Sequence, residues 1–208
     1  MNARTERLRF AGAAGAIEAL RDSPLPGVAP SGTAVIAHPH PLFAGTMDNK
    51  VVQTLARAFV QSGWTAVRFN FRGVGASEGV HDAGLGEAQD MLGLIEQAAP
   101  QGPLALAGFS FGAFVTTQVV ASLWPTRPFE RLVLVGTAAS RFEVAALPPD
   151  AHARTLVIHG ETDDTVPLTA VLDWARPQTL PVTVIPGVGH FFHGQLHLLK
   201  SLVERHLC

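Results

Sequence analysis

Short apolar runs alternate with longer amphipathic segments along the chain. The short runs have the length and the Val, Ile, Leu and Ala content of strands, and they are Glu6–Ala11, Ala16–Arg21, Thr33–Ala37, Thr65–Phe71, Leu104–Phe109, Arg131–Gly136, Thr155–His159 and Pro181–Ile185. Small residues between the first two runs predict a hairpin. The later runs are almost continuously apolar, which is typical of strands covered on both faces of a parallel sheet.

The longer segments show the spacing of apolar residues expected for one face of a helix. They are Asp48–Gln61, Glu87–Ala98, Phe111–Leu123, Leu168–Ala175 and His193–His206. Asp48 is a candidate N-cap for the first of them, and Gly63 a candidate stop. A hairpin followed by strand–helix alternation predicts an α/β fold, a three-layer α/β/α sandwich around a mostly parallel eight-stranded sheet. Because we find no internal repeat, low-complexity tract or linker, we expect one domain over residues 1–208.

Composition narrows the function classes. The chain has 208 residues, 47% of them hydrophobic, and a net charge of −2; its pI is about 6.5. A net charge of −2 leaves no excess of basic residues to neutralise phosphates, so we expect no nucleic-acid partner. The N-terminus shows no apolar core of a secretory signal, and no run approaches the roughly 20 apolar residues of a membrane span. With Cys208 as the only cysteine, no disulfide can form within one chain. We therefore expect a cytoplasmic location.

The segment Gly108-Phe109-Ser110-Phe111-Gly112 stands where a buried strand is predicted to end and a helix to begin. Open α/β sheets bind ligands at the carboxyl ends of their strands. A G-x-S-x-G sequence in this position is typical of a nucleophile presented on a sharp turn. The alternative is that Ser110 only caps the helix. The residues that follow Ser110 along the chain decide between a nucleophile and a helix cap.

A serine hydroxyl becomes a good nucleophile when a neutral imidazole, oriented by a carboxylate, removes its proton. Two later strands are followed by such groups: "HGETDDTVP" contains Asp163 and Asp164, and "GVGH" ends at His190. The chain order serine, acid, histidine is the one found with this strand–turn–helix arrangement. Ser110 is therefore interpreted as a nucleophile.

Together these motifs resemble the α/β-hydrolase superfamily over essentially the whole chain. His159-Gly160-x-x-Asp163-x-x-Val166-Pro167 is similar to its acid loop, and "GxGH" to its histidine loop. The runs "AHPHPLFAGTMDNKVV" and "RFNFRGVGASEG" resemble a narrower group of small bacterial serine esterases that lack a cap and are related to dienelactone hydrolases.

The resemblance implies Ser110 as nucleophile, Asp163 as acid and His190 as base. Asp163 is preferred over Asp164 because the acid of this motif stands three residues before the valine. His193, the competing base, falls with His197 in a segment with helical spacing, and we expect both on a helix face.

A tetrahedral intermediate also needs amide donors. The N–H of Phe111, which follows the nucleophile, is the first. The second is expected from the loop His38–Gly45, where Pro39 and Pro41 have no N–H. His40, Leu42 and Phe43 remain, and the resemblance to dienelactone-hydrolase loops makes Leu42 the first choice and His40 its alternative.

The segment between the sixth and seventh strands, residues 138–154, is too short for a helical lid, so we expect an open site. The side chains predicted to line it belong to loops at the same edge of the sheet: His40, Leu42, Phe43, Phe111, Phe142, Leu147 and Phe191. An apolar pocket of this kind favours a small or accessible acyl ester over a charged substrate.

Three alternatives find no support. Gly73-x-Gly75 would need a glycine at the position of Glu78 to complete a dinucleotide-binding turn; the resemblance makes it a structural turn instead. The nine histidines lack any zincin spacing, so no metal and no cofactor are expected. Dienelactone hydrolases proper use a cysteine nucleophile, but Cys208 is far from the turn.

The sequence thus predicts a serine hydrolase that cleaves a carboxylic ester of a small molecule through an acyl-enzyme. A thioesterase or amidase with the same triad, and a non-catalytic binding protein with this fold, are the alternatives. The expected partner is the ester or thioester substrate alone, with the protein a monomer or a homodimer.

Overall fold

A single eight-stranded sheet runs through the computed structural model, which describes residues 5–24, 27, 30–124 and 126–208. The strands are β1 (Thr5–Gly12), β2 (Gly15–Asp22), β3 (Thr33–Ala37), β4 (Thr65–Phe69), β5 (Leu104–Phe109), β6 (Arg131–Val135), β7 (Thr155–Gly160) and β8 (Val182–Ile185). Their order in the sheet is β1-β2-β4-β3-β5-β6-β7-β8. The β1–β2 hairpin is antiparallel, and β2 pairs antiparallel with β4. All other pairs are parallel.

Helices cover both faces of the sheet. They are α1 (Lys50–Gln61), α2 (Leu85–Ala98), α3 (Phe111–Leu123), α4 (Leu168–Ala175) and α5 (Leu196–Leu207). Buried residues of α1 and α5 share one core cluster, while those of α2, α3 and α4 share the other. The predicted α/β/α sandwich with a mostly parallel eight-stranded sheet is confirmed.

Strand β3 shows how the sheet separates the two cores. Val35 and Ala37 belong to the core beneath α2, α3 and α4, whereas Ala34 and Ile36 belong to the core beneath α1 and α5. Successive side chains of a strand point to opposite faces. An almost continuous apolar run is therefore what a strand covered on both faces requires.

Three helix starts differ from the prediction: α2 begins at Leu85 and not at Glu87, while α1 and α5 begin later than predicted. The N-cap of α1 is Asn49, whose side chain accepts a hydrogen bond from Val51 N–H at 2.9 Å; Asp48 instead pairs with Arg68 at 3.2 Å. Helix α5 begins at Leu196 and not at His193, because Gly194 adopts a left-handed backbone conformation with φ of 74°.

The segment between β6 and β7 carries only a short 3₁₀ helix, Pro149–Arg154. No lid covers the carboxyl end of the sheet there, as predicted from its length. The loop after β4 is anchored to the sheet: Ser77 Oγ donates to Asn70 O at 2.7 Å, and Glu78 N–H donates to Ala16 O at 2.8 Å.

Candidate active site

Ser110 stands on a strained turn between β5 and α3. Its φ of 57° and ψ of −117° lie outside the conformations that a residue with a Cβ prefers. Such a conformation costs about 1–3 kcal/mol and persists only where its surroundings enforce it. A Cβ on Gly108 would come within 2.5 Å of the carbonyl carbon of Gly112, and a Cβ on Gly112 within 2.5 Å of Ala37 O. The two flanking glycines are therefore required by close backbone packing.

The Ser110 hydroxyl is not used as a helix cap, since its side chain accepts no capping hydrogen bond. Instead Ser110 Oγ lies 2.9 Å from His190 Nε2. His190 Nδ1 lies 2.6 Å from Asp163 Oδ2. All three residues are buried. Because the carboxylate can only accept, Nδ1 carries the proton and Nε2 is free to accept one from Ser110.

Asp163 is held by the backbone of its own loop. Its Oδ1 accepts hydrogen bonds from Thr165 N–H at 3.0 Å and Val166 N–H at 2.7 Å. Burial opposes ionisation of this carboxyl group, but the hydrogen bonds from His190 and Val166 outweigh it and lower its pKa. Asp163 is therefore an ionised, oriented acceptor, whereas its neighbour Asp164 is exposed.

His159, in the strand before the acid loop, was not predicted as a contributor to the site. It is fully buried, and its Nε2 donates to Val166 O at 2.9 Å while lying 3.5 Å from Asp163 Oδ2. Burial lowers the pKa of His159, which keeps the ring neutral. It thus supports the loop that carries the carboxylate, and the histidine of the H-G-x-x-D motif was the signal that could have indicated it.

His38, at the end of β3, connects the loop after β3 to the loop after β4. Its Nε2 accepts from Phe71 N–H at 3.0 Å, so Nδ1 carries the proton and donates to Pro39 O at 2.6 Å. Burial lowers the pKa of His38 to about 4. The ring is therefore neutral and holds the Pro39–His40 peptide in one orientation.

Two backbone N–H groups near Ser110 are unengaged. In the described residues, neither Phe111 N–H nor His40 N–H donates a hydrogen bond. Leu42 N–H, by contrast, donates to His40 Nδ1 at 3.2 Å, and Phe43 N–H donates to His40 O at 3.1 Å. The geometry therefore favours His40 over Leu42 as the second amide donor, against the first choice made from the sequence.

A cavity of about 290 Å³ opens beside Ser110 and His190. Its aromatic wall is formed by five side chains that all lie on loops or helix starts at the carboxyl edge of the sheet, namely His40, Phe43, Phe111, Phe142 and Phe191. All five were predicted to line it. The His40 and Phe111 rings lie 4.8 Å apart, and those of Phe111 and Phe142 5.2 Å apart.

Two other predicted lining residues do not line this cavity. Leu42 is 69% exposed and its side chain lies outside it, because the 3₁₀ turn Pro41–Phe43 directs Phe43 and not Leu42 to the cavity. Leu147 is buried in the core cluster shared with α4. The prediction placed it in a loop at the active edge, but the chain there folds back onto the core.

Arg141 also lines the cavity, and no sequence motif predicted it there. Its position in the loop after β6, at the carboxyl edge of the sheet, was a usable signal. Acid-loop residues Thr165 and Val166 also contribute to the wall. The predicted competitor His193 is exposed, and its ring contacts only Phe191 at 5.9 Å among aromatic neighbours in the described residues.

Comparison with known proteins identifies the fold family. A family model of the alpha/beta hydrolase fold matches residues 41–153. The chain belongs to the α/β-hydrolase family. Within the described residues, none of the helices has the length and hydrophobicity needed to cross a membrane. No three histidine, cysteine, aspartate or glutamate side chains of that part are grouped as metal ligands.

Several bacterial proteins are similar over most of the chain. A Xanthomonas campestris structure described as an α/β serine hydrolase without a lid is 35% identical, with a TM-score of 0.87, covering 100% of this chain and 95% of that one. An α/β serine hydrolase homologue from Coxiella burnetii is 37% identical, with a TM-score of 0.82, covering 98% and 97%. An uncharacterised Rickettsia prowazekii protein is 30% identical over 185 residues, 84% of this chain and 77% of that protein.

Proposed function

We propose that this α/β-hydrolase is a serine esterase that cleaves a carboxylic ester through an acyl-enzyme on Ser110. The observation that carries the proposal is the continuous hydrogen-bonded chain from Ser110 Oγ through His190 to Asp163, with distances of 2.9 and 2.6 Å. These three hydrogen-bonded residues provide a nucleophile, a base in the correct tautomer and a carboxylate that orients the base.

In the acylation step, Ser110 Oγ attacks the carbonyl carbon of the ester while His190 Nε2 takes the hydroxyl proton. The resulting imidazolium is stabilised by the ionised Asp163. When the intermediate collapses, the bond to the alcohol oxygen breaks and His190 returns the proton to that oxygen. The alcohol leaves, and the acyl group remains on Ser110.

The negative charge that develops on the carbonyl oxygen is stabilised by the N–H groups of Phe111 and His40. Phe111 N–H is at the start of α3, where the helix dipole also favours negative charge. His40 N–H belongs to the peptide oriented by His38. Each donor of this kind typically contributes a factor of about 10²–10³ to turnover.

Deacylation repeats these steps with water. His190 takes a proton from the water, whose oxygen attacks the acyl carbonyl carbon, and then returns the proton to Ser110 Oγ as the carboxylic acid leaves. The cavity of about 290 Å³ is at the small end of the range for ligand sites. We therefore expect a short acyl group, with a longer one projecting past Phe43. The cytoplasmic location and the monomeric or homodimeric state remain predictions from the sequence.

A fluorophosphonate probe tests the nucleophile, since it reacts only with an activated serine. We expect labelling of the wild type and none of Ser110→Ala. Ser122→Ala, which removes a hydroxyl bonded to Gln118 O on the same helix, is the matched control and should label normally. Labelling that survives in Ser110→Ala overturns the assignment of the nucleophile.

A series of p-nitrophenyl esters with increasing acyl length then tests the reaction. We expect measurable kcat/KM for acetate and butyrate, with a burst of p-nitrophenol equal to the active-site concentration if deacylation is slower than acylation. A protein that labels with the probe but hydrolyses none of these esters contradicts the ester assignment, and the corresponding thioesters and anilides are then the substrates to compare.

A further inference from the structure

Arg141 is a cation without a partner at the wall of the cavity. Its side chain is exposed and makes no hydrogen bond or ion pair with the described residues. The two buried arginines, by contrast, are neutralised: Arg68 pairs with Asp22 at 3.1 Å, and Arg72 pairs with Asp90 at 2.7 Å. A guanidinium left unpaired beside a cavity has its five donors available to a ligand.

The other residues that line the cavity do not offset this charge. None of those in the described part of the chain is an aspartate or a glutamate, and Arg141 is the one lining side chain with a permanent charge. Its field reaches the aromatic wall: burial is the largest cause that lowers the pKa of His40, and His81 and Arg141 lower it further against the opposing effect of Glu87. The cavity thus combines an aromatic wall with one positive side.

The backbone that carries Arg141 is fixed. Arg141 N–H and Phe142 N–H both donate to Ala138 O at 3.2 Å, which closes a turn directly after β6. The Phe142 ring stacks on Phe114 of α3, with centroids 4.6 Å apart and planes at 12°. Only the side chain of Arg141 is therefore free to adjust when a ligand binds.

We propose that Arg141 binds an anionic group, a carboxylate or a phosphate, on the part of the substrate remote from the scissile ester. The substrate class is then an ester with a negatively charged end, in contrast to the neutral ester expected from the apolar sequence pattern. This inference rests on the proposed esterase function. A planar guanidinium fork matches the two oxygens of either anion, while the aromatic wall covers the connecting carbon atoms.

The test compares two esters that differ only in the end group. Mono-p-nitrophenyl glutarate ends in a carboxylate, and p-nitrophenyl valerate ends in a methyl group. We expect Arg141→Gln to lower kcat/KM for the glutarate by about 3–5-fold, the upper range of an accessible ion pair, and to leave the valerate essentially unchanged. Arg141→Lys should recover part of the lost kcat/KM for the glutarate. In the wild type, added salt should lower the glutarate-to-valerate ratio of kcat/KM.

Arg9→Gln is the matched control. Arg9 is exposed on the edge strand β1, does not line the cavity and also has no partner in the described residues. Arg9→Gln therefore changes the net charge by the same amount without altering the cavity. It should leave the glutarate-to-valerate ratio unchanged. An ester ending in a phosphonate, measured beside the glutarate, then shows which anion Arg141 prefers.

The proposal is overturned if Arg141→Gln lowers kcat/KM equally for both esters, because Arg141 then affects the reaction and not the anionic group. It is also overturned if kcat/KM changes for neither ester. Failure of the esterase assignment is distinct, since the wild type would hydrolyse neither ester. In that case the labelling rates of Ser110 by carboxylate-ended and methyl-ended fluorophosphonates give the same comparison without turnover. A ratio of these rates that is unaffected by Arg141→Gln also overturns the inference.

Discussion

The Nδ1 atom of His38 donates to the carbonyl oxygen of Pro39 at 2.6 Å, across a single residue step. The C=O and N–H of one trans peptide point in opposite directions. By holding Pro39 O, His38 therefore directs His40 N–H away from itself, and we propose that this N–H stabilises the oxyanion. The Nε2 of His38 must stay unprotonated to accept from Phe71 N–H, so this support depends on a neutral ring.

Replacing His38 should change how stability depends on pH. Its pKa is lowered from 6.5 to about 4 by burial. Between these values the unfolded protein binds a proton that the folded protein does not, so His38 makes stability fall as pH decreases from about 6.5 to 4. At pH 5 the loss relative to pH 7.5 is roughly 2 kcal/mol, from about 1.4 kcal/mol per pH unit. In His38→Gln the difference in unfolding free energy between the two pH values, measured with urea, should shrink by that amount.

His197→Gln, which replaces an exposed imidazole on α5, is the matched control for this experiment. His159 and His206, whose pKa values burial also lowers, are present in every variant and cancel in the comparison. The lowered pKa of Asp163 affects stability only below about pH 4. An unchanged pH difference in His38→Gln would mean that His38 is not kept neutral by the fold.

Substituting Asp163 with asparagine should remove most of the activity without unfolding the site. The two amides of Thr165 and Val166 require an acceptor, so the oxygen of the introduced carboxamide would face them and its NH₂ would face His190 Nδ1. His190 is then held in the tautomer with a proton on Nε2 and cannot take one from Ser110. We expect kcat of Asp163→Asn to fall on the order of 10⁴-fold, measured with p-nitrophenyl butyrate.

The neighbouring Asp164 gives a matched comparison, because it is exposed and its carboxylate accepts, among the described residues, only a hydrogen bond from Thr165 Oγ1 at 3.3 Å. Asp164→Asn should retain activity within about twofold. If the two variants lost activity in the reverse order, Asp164 would be the acid, which is the alternative that the sequence left open.

The sequence predicted the sheet and its helices well because the central strands, β3 to β7, are largely buried on both faces. A continuous apolar run such as Leu104–Phe109 is readily recognised as a buried strand. The observed bounds of this strand and of α3 are those predicted. The helix starts were harder to predict because caps depend on single side chains. Asn49 caps α1, whereas the Asp48 carboxylate pairs with Arg68, a residue distant in sequence.

The same division holds in the site. Ser110, Asp163 and His190 each follow a strand in a recognisable motif, so their convergence could be anticipated. The second amide donor could not be predicted, because the choice between His40 and Leu42 depends on which N–H already donates a hydrogen bond. The burial of Leu147 was not predicted for a related reason: the path of the loop after β6 is set by tertiary contacts such as that from Leu147 N–H to Gln178 Oε1 at 2.7 Å.

Adding one methyl group at Gly108 should destabilise the turn that carries Ser110. An alanine Cβ there would lie 2.5 Å from the carbonyl carbon of Gly112, a backbone atom that cannot move without displacing α3. We expect Gly108→Ala to cost about 1–3 kcal/mol of unfolding free energy, and roughly 2–12 °C in Tm for a chain of this size. Calorimetry or thermal circular dichroism measures the shift.

Gly93, inside α2, is the opposite case. A Cβ there would meet only Ala11 O at 3.7 Å, an ordinary contact. Because glycine is a poor helix residue, Gly93→Ala should stabilise the protein by about 0.5–1 kcal/mol. Equal effects of the two substitutions would contradict the claim that close packing, and not flexibility, explains Gly108.

Phe43 and Leu42 are adjacent, apolar and exposed by 76% and 69%, yet only Phe43 lines the cavity. If acyl chains leave the cavity past Phe43, then Phe43→Ala should raise KM for p-nitrophenyl octanoate by about 3–10-fold, through loss of apolar contact, and should scarcely affect the acetate. Leu42→Ala should leave both esters unchanged. Neither substitution should shift Tm appreciably, because both side chains are largely exposed. A larger effect from Leu42→Ala would place the path of the acyl chain on the other side of the 3₁₀ turn.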